Sequence, residues 1–112
     1  MGLFLAFLFA ISGPLEVSVR PRFALAPTTI SVIIRVARDE SNRGLTLTIN
    51  GPEKRSRFFQ LEGEDSPSIF EDFYQIRQPG KYVINVQVNR SGKKDLRHEV
   101  EFCASGLEVK CF

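Results

Sequence analysis

The chain has no tryptophan, one histidine and only two cysteines among its 112 residues. The single imidazole, His98, has no second histidine to work with, and no serine or cysteine lies in a nucleophile-elbow sequence. His98, Cys103 and Cys111 are too few ligands for a structural zinc site. The sequence therefore predicts a protein that is not an enzyme and that holds no metal or cofactor.

No apolar run approaches the roughly 18 residues needed to cross a bilayer as a helix, so no membrane span is predicted. The net charge is +2, with 15 Lys and Arg interleaved with 13 Asp and Glu. Because a nucleic-acid-binding domain concentrates its basic residues on one face, this even spread argues against nucleic acid as a partner. With 43% hydrophobic and 25% charged residues, the composition is that of one folded domain.

The first residues differ from the rest, because Gly2–Ile11 is uncharged and almost wholly apolar. Its length suits the hydrophobic region of a secretory signal, and small residues at Ala10 and Ser12 would allow cleavage before Gly13. Residues 1–12 are therefore predicted to be a signal peptide, with an apolar N-terminal strand or an ordered tail as the alternative. A signal peptide would make the domain secreted or extracytoplasmic.

From Leu15 onward, the sequence consists of short stretches of alternating apolar and polar residues separated by turn residues. This pattern is typical of a β-sandwich or barrel. Strands are predicted at Leu15–Arg20, Ile30–Val36, Leu45–Ile49, Arg57–Leu61, Ser68–Ile76, Lys81–Val88 and Leu96–Phe102. The fold is therefore expected to be all-β and antiparallel, with about seven strands and one solvated face on each sheet.

The segment Ser66–Ile76 allows two interpretations. Ser66 followed by Pro67 is a helix-start signal. In a strand, alternate apolar residues would share one face with Asp72, a charge that an apolar face does not readily accept. The strand is favoured because the segments on both sides are strands. It would place three apolar residues together: Phe70, Tyr74 and Ile76.

Pro79-Gly80-Lys81-Tyr82 and the alternating strand after it resemble the penultimate strand of immunoglobulin-like and fibronectin-III-like domains. They also resemble the Pro-Gly-x-Tyr strand of carboxypeptidase-regulatory-like domains in bacterial exported proteins. The resemblance implies an immunoglobulin-like sandwich over residues 13–103, with 104–112 as a tail. It also implies that Tyr82 buries its ring and hydrogen-bonds a nearby backbone group, as in the tyrosine corner.

Two basic groups lie near predicted turns. If they met at one end of the sandwich, they could bind an acidic partner or an anionic surface. The alternative is that they keep the hairpin tips soluble and prevent edge pairing. The first group consists of Lys54, Arg55 and Arg57, and the second of Arg90, Lys93, Lys94 and Arg97.

Two features would acquire a role outside the cell. Asn89-Arg90-Ser91 matches the N-glycosylation sequon, which belongs on a surface loop. Cys103 and Cys111 could close a short C-terminal loop as a disulfide in an oxidising compartment, or remain free thiols.

Other candidate groups have simpler interpretations. The acidic loop Glu62–Asp65, with Glu71 and Asp72 after it, could gather oxygens around calcium, but no EF-hand spacing is present and a solvated loop is expected. His98 falls on the inward column of its strand and is expected to be structural.

Strict alternation breaks where Phe58 precedes Phe59 and where Ile33 lies between Val32 and Ile34. One apolar side chain at each place should face outward, either into an interface or under a second layer of the domain.

The sequence as a whole favours a non-enzymatic interaction or structural module, exported, with an unidentified protein partner and an undetermined oligomeric state. The alternative is a small ligand-binding domain of the carbohydrate type, with Tyr74 or Phe58 as aromatic platforms. The absence of tryptophan weakens this second hypothesis.

Overall fold

The computed structural model describes residues 13–107 and 111, and the predicted signal peptide at 1–12 lies outside that part. The described chain forms eight strands and one short 3-10 helix, η1, at Gly63–Asp65. The strands are β1 (Leu15–Arg20), β2 (Phe23–Leu25), β3 (Thr28–Val36), β4 (Asn42–Asn50), β5 (Arg55–Gln60), β6 (Ile69–Ile76), β7 (Gly80–Arg90) and β8 (Leu96–Ser105). The predicted all-β class is therefore confirmed.

The strands form two sheets, one in the order β1-β3-β6 and the other in the order β2-β8-β7-β4-β5. All neighbouring pairs are antiparallel except β2 and β8, which run parallel, so the second sheet is mixed. The strand not predicted from the sequence is β2. After Pro21 the chain no longer pairs with β3. It crosses to the second sheet, where Phe23 pairs with Cys103.

The core lies between the two sheets, and the period-two pattern decides which side chains enter it. Alternate residues of β1, β3, β4 and β7 are buried, whereas their neighbours face solvent. The largest fully buried side chains are Tyr82, Phe102, Ile30, Ile34, Leu45, Leu47, Ile49, Ile76 and Ile84. Removing this apolar surface from water is the main driving force for folding.

The ambiguous segment is a strand, as predicted. β6 pairs with β3 along its whole length, from Thr28 opposite Ile76 to Arg35 opposite Ile69. At the other end of the chain, β8 continues to Ser105, two residues beyond the predicted end of the domain at 103. Among residues 13–107 and 111, no helix has the length and apolar character to cross a membrane.

Candidate functional site

The two basic groups lie at opposite ends of the sandwich. Asn42, the first residue of β4, pairs with Arg90 beside the β7–β8 hairpin. Ile49, near the other end of β4, pairs with Arg55 beside the β4–β5 turn. Because β4 has nine residues, these ends are about 27 Å apart. The two turns therefore do not meet at one end of the sandwich, although Arg57 and Arg97 lie in neighbouring rows of the five-stranded sheet.

Several of these basic side chains have acidic neighbours. Lys93 Nζ lies 2.8 Å from Asp39 Oδ2, and Arg55 Nη2 lies 3.3 Å from Glu53 Oε1. Hydrogen bonds from Lys93 and Ser41 hold the pKa of Asp39 well below its usual range. Exposed pairs of this kind contribute little to stability, because water and salt screen them. These contacts fit the alternative interpretation, in which the basic residues organise and solubilise the turns. Lys54, Lys94 and Arg97 are also exposed.

The third residue of the first group, Arg57, belongs to a cluster that closes the edge between β5 and β6. Arg57 Nη1 donates to Asp72 Oδ2 at 2.6 Å, and the Tyr74 hydroxyl donates to the same oxygen at 2.9 Å. The Arg57 guanidinium lies 5.0 Å from the Phe59 ring centroid, and the Phe59 and Phe70 centroids are 5.1 Å apart. Asp72 is thus an inward-pointing charge on an edge strand, a device that opposes edge-to-edge aggregation.

The same cluster bears on the carbohydrate hypothesis. Tyr74 points between the sheets, and burial together with its hydrogen bond to Asp72 raises the pKa of its hydroxyl. A side chain in this position cannot serve as an exposed stacking platform, so Tyr74 is removed as a candidate. Phe58 and Phe73 are exposed, but they lie on different sheets and cannot form one platform.

Tyr82 forms the predicted corner. Its ring is fully buried, and its hydroxyl donates to the Gln78 carbonyl oxygen at 2.7 Å and to Glu53 Oε2 at 3.2 Å. Burial and the neighbouring Glu53 carboxylate raise the pKa of Tyr82 to about 12. Glu53 Oε2 also accepts the Arg77 and Gln78 amides at 2.6 and 2.8 Å. One carboxylate on the β4–β5 turn thus fixes the chain between β6 and β7.

Glu53 should make stability depend on pH. Hydrogen bonds from the Gln78 and Arg77 amides hold its pKa below the ordinary value of 4.5. A carboxyl with a lowered folded-state pKa contributes fully above its unfolded pKa and loses that contribution as pH falls through the folded one. We therefore expect that, as the pH falls from about 5 to about 3, the free energy of unfolding decreases less in Glu53→Gln than in wild type. Urea titrations across this range measure the difference, and parallel curves would refute it.

An exposed apolar surface lies on the outer face of the three-stranded sheet. Ile69 and Phe73 of β6 are 56% and 62% exposed, and Ile33 of β3 lies diagonally between them because it pairs with Glu71. We call Ile33, Ile69 and Phe73 the β3–β6 patch. The predicted outward position of Ile33 is confirmed. Ile69 and Phe73 were not singled out from the sequence, although the strand alternation that puts Phe70 inward also puts them outward.

Phe58, the other predicted outward residue, has a neighbour within the domain. It is 60% exposed on the outer face of the five-stranded sheet. Its ring lies against the backbone of Gly44, where an added Cβ would come within 2.7 Å of Phe58 Cε1. The ring therefore covers a glycine on the adjacent strand, and this packing accounts for its outward position.

The two cysteines form a disulfide, with Cα atoms 5.8 Å apart and a sequence separation of 8. The bond ties the C-terminal segment to β8 beside β2. Among the described residues, no cysteine is left as a free thiol.

Asn89, the sequon residue, is exposed near the end of β7 and its Oδ1 accepts a hydrogen bond from Gln87 Nε2 at 3.3 Å. The position is a surface strand that leads into the predicted hairpin, and it leaves the side chain accessible. Glycosylation of Asn89 stays a prediction.

A depression with a volume of about 570 Å³ runs along β1, an edge strand. Its lining includes Arg20, Arg35 and the half-buried His98. The depression is open, and His98 lines it from the inward column of β8, where the sequence placed it. The lining also includes Ser18 of β1.

The acidic residues considered for calcium do not converge. Glu71 accepts the Ser31 hydroxyl at 2.8 Å on the outer face, whereas Asp72 points inward to Arg57. Residues Gly63–Asp65 of the acidic loop form the short helix η1. Within the part of the chain that the structure describes, no three His, Cys, Asp or Glu side chains are grouped as metal ligands.

Comparison with known proteins returns no match to a family model, to a curated protein or to a solved structure.

Proposed function

We propose that the protein is an exported, immunoglobulin-like interaction module that binds a protein partner through the β3–β6 patch. It performs no chemistry of its own and holds no cofactor. The observation that carries the proposal is the exposure of Ile69 and Phe73 next to Ile33 on one sheet face. Contiguous apolar surface on a folded domain is a common mark of a protein interface.

The order of the strands supports the immunoglobulin-like assignment. In that fold, strands A, B and E share one sheet and strands C, F and G share the other. The sheet β1-β3-β6 has the first order, and the run β4-β7-β8 has the second. Tyr82, at the start of the strand in the F position, makes the backbone hydrogen bond of a tyrosine corner. The parallel strand β2 is an addition to this plan.

Export is supported by the disulfide between Cys103 and Cys111. Disulfides persist in oxidising compartments and are rare in reducing ones. The apolar sequence at residues 1–12 has the composition of a secretory signal. The corresponding mature chain begins near Gly13, and N-terminal sequencing of the native protein tests this start.

A photo-crosslinking pair tests the binding surface. Benzoylphenylalanine is placed at Phe73 in one variant and at Phe58 in a matched control, since the two positions are 62% and 60% exposed but lie on different sheets. We expect a protein adduct from position 73 in the native host that is lost when Ile33→Lys is added. Adducts of equal yield from both positions, or from neither, would refute the patch as the binding surface.

A further inference from the structure

We propose that the partner of the β3–β6 patch is a second copy of this chain, bound by a two-fold contact between the outer faces of two three-stranded sheets. The inference rests on the proposed function and names the partner of the same surface. In such an isologous contact the same patch is used by both copies, so its side chains must complement themselves. The register of β1, β3 and β6 provides this complementarity.

The outer face is a grid of three strands and three rows, because pairing brings outward side chains of neighbouring strands side by side. The first row contains Glu16, Arg35 and Ile69, the central row Ser18, Ile33 and Glu71, and the third row Arg20, Ser31 and Phe73. Opposite charges therefore lie at the two ends of β1, and the two exposed apolar side chains lie at the corresponding ends of β6.

A two-fold axis that passes through Ile33 and runs across the strands exchanges the first and third rows. Glu16 then faces Arg20 of the second copy, and Ile69 faces Phe73 of the second copy. Ile33 meets its own equivalent at the centre of the contact. One symmetry operation thus gives two ion pairs along β1, two Ile69–Phe73 contacts along β6 and an Ile33 contact at the centre.

The other in-plane axis gives a poorer match. An axis along the strands would set Ile69 against Glu16, so that an apolar side chain would meet a carboxylate. The axis across the strands leaves one like-charged approach, that of Glu71 to its equivalent. Each Glu71 already accepts the Ser31 hydroxyl at 2.8 Å, and Arg35 of the second copy lies diagonally opposite it.

The geometry fits known sheet packing and predicts a weak dimer. Two sheets pack face to face about 10 Å apart with their strands nearly aligned. The face is about 15 Å wide and about 20 Å long, so a dimer would bury roughly 600 Å² in total, below the roughly 1,200 Å² of stable specific interfaces. We therefore expect a concentration-dependent dimer with a dissociation constant of about 10 μM or weaker.

Cysteine crosslinking on the full chain tests the position of the axis. Because the native cysteines are joined to each other, the introduced thiol is the reactive one. Ile33→Cys places two thiols together at the axis. The control Thr29→Cys lies on the same face of β3, but its two thiols are about 26 Å apart across the axis. A short bis-maleimide should link the Ile33→Cys chains at least tenfold more than the Thr29→Cys chains.

A charge exchange tests the predicted ion pairs without touching the core. Glu16→Arg alone and Arg20→Glu alone each set like charges against each other and should weaken the dimer several-fold by analytical ultracentrifugation. The double variant Glu16→Arg with Arg20→Glu restores the opposite pairing and should recover wild-type association. Because both residues are on the solvated face of β1, circular dichroism spectra should be unchanged.

The outcomes separate this inference from the proposed function. A monomer at all concentrations, equal crosslinking of the two cysteine variants, or no recovery in the double charge variant would overturn the homodimer. If the Phe73 photoadduct then has the mass of a different protein, the patch remains a binding surface with another partner. If the Phe73 position gives no adduct either, both proposals fail.

Discussion

Replacing Tyr82 by alanine is expected to lower the free energy of unfolding by about 3–5 kcal/mol, the range for removal of a buried aromatic side chain. The ring has no exposed surface and packs against Phe102, with centroids 6.1 Å apart. It also fills the space beside Gly51, where even a Cβ would approach within 2.5 Å of Tyr82 Cδ2. Because small domains are stable by only about 5–15 kcal/mol, this loss removes a large share of the total.

Tyr82→Phe is the matched control, since it keeps the ring and removes only the hydroxyl. It should cost about 1–2 kcal/mol, because Glu53 retains the amide hydrogen bonds from Arg77 and Gln78. Urea or thermal unfolding measures both variants. Equal losses for Tyr82→Phe and Tyr82→Ala would mean that the hydroxyl, not the ring, holds this corner together.

Removing the disulfide should have the second largest effect. In the double variant Cys103→Ala with Cys111→Ala, the unfolded chain regains the conformational freedom that the crosslink removes. For residues 8 apart in sequence, the chain-entropy model predicts a loss of about 2–3 kcal/mol. Chemical denaturation under oxidising conditions measures the difference from wild type.

A reductant provides the control for this experiment. Reduced wild type should unfold at the same denaturant concentration as the double alanine variant, and the variant itself should not respond to the reductant. A variant as stable as the oxidised wild type would show that the crosslink does not stabilise the domain. It would also weaken the disulfide as support for export.

Much of the fold could be predicted from the sequence because alternation is a local signal. At β1 the predicted and observed strands coincide, at Leu15–Arg20. The other predicted strands also occur, with ends that differ by up to three residues. The Tyr82 corner could be anticipated because a turn residue pair precedes an alternating strand.

Two features could not be predicted because they depend on distant partners. β2 is three residues long with no alternation of its own, and it becomes a strand only because Cys103–Ser105 lies beside it. Asp72 conflicts with its neighbours on β6 until Arg57 of the opposite sheet is in place. The residue pattern within one segment cannot reveal either contact, because the partner lies far away in the sequence.

The candidate site was predicted only in part for a similar reason. The basic groups were identified by residue type, but their separation is set by the length of β4 and by its pairing at both ends. Ile33 was identified from the break in alternation. The surface around it required the register of β3 with β6, which determines that Ile69 and Phe73 lie diagonal to it.

The parallel pairing of β2 with β8 also sets the order of events during synthesis. β2 is made early, but its sheet neighbour among the described residues is β8, the last strand of that part of the chain. Pairing between such distant segments must await the whole chain and forms slowly. While the ribosome is still producing β8, the five-stranded sheet cannot close. The mixed sheet is therefore completed only after the whole segment from β2 to β8 has been synthesised.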